Sequence, residues 1–223
     1  MSVAILQNHQ IVFDGDILMR PAISSKYILC RFNGCTNTIF FVKTSAGMMK
    51  VIDLKAYRAK VLERRGFGPW QKRFGETFDS TTRVVDLSDT TLFYLAQPGE
   101  SSSVAYYDLI MGILDLGTAA KFHYLGNRDQ MTVVDIHLFL ADQVRFEMMH
   151  RLEWIMNFEG ERYSLMELVQ EFDRIKTNCK AKPPQLSRSN ADYAAYTQLT
   201  DGDKEVFIRQ MLQAALDAFQ RRL

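Results

Sequence analysis

Glu147 and His150 stand three residues apart in the run Phe-Glu-Met-Met-His that ends at His150. On a helix this spacing places a carboxylate and an imidazole on one face, as in each half of a ferritin-like di-iron site. Such a site needs a second Glu-x-x-His pair and further glutamates. The sequence has no second pair, since His123 and His137 lack a carboxylate at the matching offset. The plainer reading pairs Glu147 with Arg151 at i+4, in the favoured orientation. A metal-dependent enzyme around Glu147 and His150 therefore ranks as a weaker alternative. No cofactor is expected.

Asp142, Arg145 and Arg151 form a second polar set nearby. Arg145 lies among apolar neighbours on the helical wheel, so if buried it needs a carboxylate. Asp142 is the local candidate, as part of a structural network rather than a catalytic one. Cys30 and Cys35 flank a tight turn, and Cys179 stands alone. A zinc site usually takes four ligands in two close pairs. The second pair is missing, so the cysteines read as small apolar residues.

The strongest surface signal runs from Lys55 to Phe74. It includes Lys55, Arg58, Arg64, Arg65, Lys72 and Arg73 against one acid, Glu63, with Phe67, Trp70 and Phe74 interleaved. Basic side chains neutralise phosphates and exposed rings stack on bases, so this segment supports a nucleic-acid-binding alternative. The opposing reading is a solvated basic helix face followed by aromatics that plug into the core. Frames for a nucleophile elbow, a phosphate loop, a dinucleotide fold or a zinc protease are absent. The protein is read as more consistent with a non-enzyme.

These residues need elements to hold them. Thr132–Met156 reads as one long helix, apolar around most of its circumference, which belongs at the centre of a domain. Leu140, Val144, Met148 and Leu152 are its expected core positions. Before it, the first 45 residues read as β-branched and aromatic strands, with a two-residue hairpin at Asn33-Gly34. A basic helix spans about Lys50 to Arg65 and is ended by Gly66, Gly68 and Pro69. RVVDL and TLFYL read as short strands and KFHYL as a strand or connector. Ser101–Ser103 cap a helix that stops at Gly117. Ser164-Leu-Met-Glu167 is a capping box that opens a helix to about Asn178.

The segment CKAKPPQLSRSN, residues 179–190, carries two prolines and basic residues without acids, the composition of a linker or exposed loop. Beyond it, residues 201–223 form an amphipathic helix whose apolar face includes Val206, Phe207, Met211, Leu216 and Phe219. An isolated amphipathic helix must bury that face on something. The five side chains are therefore the expected partner-binding residues, docking on this chain or on another.

The expected fold is α+β. An N-terminal antiparallel sheet with a helix packs on a mostly helical C-terminal half built around helix 132–156. The expected organisation is a body over 1–178 (β-rich over 1–96, helical over 101–178), a linker over 179–190 and a helical extension over 191–223. The 223 residues carry a net charge of +1, so no global field recruits nucleic acid or an anionic membrane. The many ionisable residues in the long helix, Asp135, His137, Asp142, Arg145, Glu147, His150 and Arg151 among them, argue against a membrane span, and the few cysteines favour a reducing, cytoplasmic compartment. The leading functional reading is a non-catalytic cytoplasmic binding or assembly protein acting through protein–protein contacts or self-association.

Overall fold

A computed structural model describes residues 54–223, with side chains from Ala56 onward. The N-terminal strands, the Asn33-Gly34 hairpin, Cys30 and Cys35 lie outside the described residues. The chain divides into two compact units, Met1–Val61 and Leu62–Leu223. Helix α1 (Leu54–Phe74) contributes Leu62 onward to the second unit.

The α+β expectation is overturned. Residues 54–223 are built from helices, and β pairing among them is limited to two isolated bridges, Arg83 with Ser164 and Ile155 with Leu186. RVVDL forms a 3-10 turn at Val84–Asp86, and TLFYL lies inside helix α2 (Asp89–Ala96). KFHYL falls largely within a 3-10 segment, Ala119–Tyr124. The reason is visible at α2. The Ser88 hydroxyl accepts from the Thr91 backbone N–H, and Asp89 sits in the first turn at the positive end of the helix dipole. Leu92, Leu95 and Ala96 then share a buried face at helical spacing. A cap and a buried stripe outweigh the strand preference of the aromatic residues.

Helix α1 also departs from expectation. It continues through Gly66, Gly68 and Pro69 and stops at Gly75, whose φ is +71° and whose N–H bonds to the Gln71 carbonyl. Gly66 serves close packing rather than termination. A Cβ there would lie 2.6 Å from Cγ1 of Ile113, and one on Gly112 would lie 2.6 Å from the Arg65 backbone. The two glycines let α1 and α3 (Glu100–Ile113) cross nearly backbone to backbone.

The long central helix is α4 (Asn127–Arg151), which starts one turn before the expected Thr132. It packs against α2, α3 and the last helix. Leu140, Val144 and Met148 are fully buried, while Leu152 is half-buried. The helix ends in a Schellman motif: Glu153 takes a φ of +60°, its N–H bonds to the His150 carbonyl, and Trp154 N–H bonds to the Met149 carbonyl.

The Ser164–Glu167 capping box is present on both sides, at 3.2 and 2.8 Å. The helix it opens breaks at Glu171 into α5 (Leu165–Gln170) and α6 (Phe172–Ala181). The proline segment is pinned in place. Met156 N–H bonds to the Gln185 carbonyl and Ser187 N–H to the Trp154 carbonyl, both at 2.8 Å, with Leu186 fully buried between them. After the short helix α7 (Tyr193–Thr197), the terminal helix is two, α8 (Asp201–Gln210) and α9 (Leu212–Gln220). Both lie in the second unit, and α9 packs on α2 and α4.

Candidate functional site

The C-terminal half of α4 is buried, so each charge in it needs a partner. Glu147 is 3% exposed. Arg151 Nε donates to Glu147 Oε1 at 2.7 Å, Nη1 to Asp89 Oδ1 at 2.6 Å and Nη2 to the Val85 carbonyl at 3.0 Å. One guanidinium thus ties α4 to the start of α2 and to the turn before it. Burial disfavours the Arg151 charge, but the bonds to Glu147 and Asp89 outweigh it and raise its pKa. The other Glu147 oxygen, Oε2, accepts no hydrogen bond and lies 3.6 Å from His150 Nδ1. The Glu147–His150 pair is therefore on one face, as the spacing requires, with Glu147 engaged by Arg151. Among the described residues no group of three His, Cys, Asp or Glu side chains is placed to hold a metal ion.

Asp142 and Arg145 are 3.9 Å apart, and Arg145 Nε reaches instead to the Ala96 carbonyl at 3.2 Å. The close partner of Asp142 is Arg209 from α8, at 2.5 Å, which also binds Glu205. Sequence spacing does not find this contact, because the two residues are 67 positions apart.

The basic aromatic segment is split by the core. Phe67 and Trp70 are fully buried, with the Trp70 indole N–H donating to the Ala105 carbonyl at 2.8 Å. Trp70, Phe74, Phe78 and Tyr106 meet edge to face around it. No ring of that cluster stands free to stack on a base. Arg73 donates to the Tyr94 hydroxyl, and Arg65 is bonded to Asp115. Arg64 and Lys72 are exposed. Arg58 belongs to the first unit, and the Lys55 side chain lies outside the described ones.

Of the five expected partner-binding residues, Phe219 and Leu216 are buried against this chain, Phe219 stacking on Phe93 at 6.3 Å between centroids. Phe207 packs on Tyr196, and Met211 is half-buried. Val206 is 52% exposed.

Sequence reasoning missed the outer face of α4. Met131 is 62% exposed and Leu138 56%, seven residues apart on one side of the helix, and Tyr124 just before it is 88% exposed. The available signal was the apolar character of this helix around most of its circumference, which leaves more apolar surface than one core can cover. Behind this face, His137 sits against Tyr106 and Tyr107, at 5.1 and 5.2 Å between ring centroids. Burial, and then the Arg145 charge, lower its pKa.

Beside Leu138 a cleft of about 180 Å³ opens between α4, α6, α8 and Pro183-Pro184. Cys179 lines it. Burial, with the Glu159 charge adding to it, pushes the thiol up to about 11, which keeps it protonated near neutrality. No described helix is long and apolar enough to cross a membrane. The chain matches no known protein family, no curated protein and no solved structure significantly.

Proposed function

We propose that this protein is a non-catalytic binding or assembly protein of the cytoplasm, acting through protein–protein contacts. The observation that carries this reading is the outer face of α4, where Met131 and Leu138 lie in line, both more than half exposed. Large apolar side chains aligned on one exposed helix face support an interaction site. The C-terminal helices, whose apolar face offered the same role in the sequence, direct Leu216 and Phe219 into their own chain. The proposal therefore rests on α4 rather than on the C-terminal helices.

The test compares the native chain with a Met131→Asp/Leu138→Asp variant, by sedimentation and by co-purification from its own host. The expected result is a self-associated species, or a stoichiometric protein partner, that the variant loses while keeping its helical circular dichroism. A monomeric native chain with no partner, or an assembly unaffected by the two substitutions, overturns the reading.

A further inference from the structure

The cleft beside α4 holds a polar group that the fold leaves without a partner. Gln143 is 4% exposed, and its side-chain amide makes no hydrogen bond to any described residue. The amide belongs to the lining of the cleft, and its Oε1 lies over Gly160. A Cβ at Gly160 would stand 1.9 Å from that oxygen, so glycine is what makes room for the amide. The apolar walls are Leu138, Phe139, Phe146 and Phe158.

The charges at the cleft sort unevenly. Asp142 is bound by Arg209, Glu205 also by Arg209, and Glu159 by Arg162 and Lys182. Lys176 and Lys180, one helical turn apart on α6, have no carboxylate within 4 Å among the described residues. Lys176 instead lies over the Phe172 ring at 4.7 Å. Asp135, exposed at the rim, is the one lining carboxylate without a close cation among the described residues. Three of the four lining carboxylates are thus neutralised in place, while two ammonium groups and the Gln143 amide are left to meet a ligand.

We propose that this cleft binds a small apolar carboxylic acid. Its ring or branched chain enters between the phenylalanines, and its carboxylate is held by Lys176 and Lys180 and by the Gln143 amide N–H. The volume suits one such group rather than a larger molecule, since pockets for drug-sized ligands start at about 300 Å³. The same chemistry is presented by a free acid and by the last residue of a polypeptide ending in an apolar side chain. The proposal does not depend on the assembly reading, whose test rests on Met131 as well as Leu138.

The test titrates the full-length, 15N-labelled chain with 3-phenylpropionate and with 3-phenylpropionamide, following the Gln143 side-chain amide by NMR. Its signal is identified by its loss in Gln143→Leu. In parallel, acetyl-Gly-Gly-Phe is compared as the free acid and as the C-terminal amide. Saturable shifts with either acid and not with its amide support the proposal, and which acid binds tells the free ligand from the chain terminus. Lys176→Ala/Lys180→Ala should weaken binding by at least about tenfold, since both charge-assisted contacts to the carboxylate are lost. Asp135→Asn should tighten it by removing a like charge from the rim. Absence of saturable shifts, equal shifts with acid and amide, or unchanged affinity in the double lysine variant or in Gln143→Leu each overturn the proposal.

Discussion

The two halves of α4 face different environments with similar composition. From Leu140 to Met149 the helix is enclosed by α2, α3 and α9, and even its glutamate is 3% exposed. From Asn127 to Leu138 it holds Val133 and Ile136 inward while leaving Met131 and Leu138 in solvent. In the enclosed half the buried glutamate is paired, Arg151 bonding to Glu147 Oε1, to Asp89 and to the Val85 carbonyl, while Glu147 Oε2 is left without a hydrogen bond. In the outer half Asp135 stands exposed with no close partner among the described residues. The difference teaches that apolar content locates the helix at the centre, while the neighbours decide which of its apolar residues become core and which become surface. A buried charge without a partner costs far more than an exposed one, so pairing is strict only where water is excluded.

That contrast can be broken most directly at Arg151. Arg151→Ala leaves Glu147 buried without its counter-ion and should cost about 3–5 kcal/mol by urea unfolding. A cost below about 1 kcal/mol would show that Glu147 finds water or another partner. Adding Glu147→Gln to that variant should recover part of the loss, because both charges are then gone; a double-mutant cycle reads the coupling. Leu140→Ala, at a fully buried site, should cost about 2–5 kcal/mol, and an effect like that of a surface substitution would remove this half of the helix from the core.

Smaller effects are expected toward the surface. Arg209→Ala breaks the link from α8 to Asp142 and to Glu205. The side chain is 40% exposed, so solvent screening limits the loss to about 1 kcal/mol or less, and the loss should shrink as salt is added. Leu138→Gln, at the exposed end of the comparison, should change stability by no more than about 0.5 kcal/mol. A larger destabilisation there would make the outer face of α4 part of the fold rather than a surface for contact.

Some of this was legible in the residues themselves. The central helix, its three buried positions at Leu140, Val144 and Met148, the Ser164–Glu167 capping box and the Glu147–Arg151 pair all follow from i, i+3 and i+4 spacing. These are local relations, and a helix brings such residues together wherever it lies. The strand readings of RVVDL and TLFYL failed because short apolar runs carry no decisive period, and the Ser88 cap settled the matter for α2. Glycine and proline in α1 looked like a stop, but the need for Gly66 arises from α3, which the local sequence does not describe. The same holds for the partner of Asp142, for the bridge that pins Leu186 to Ile155 and for the unpaired amide of Gln143 over Gly160. Each joins residues distant along the chain. Local spacing determined which side chains share a helix face, and only tertiary packing decided what each face meets, because burial and long-range pairing are properties of the assembled helices.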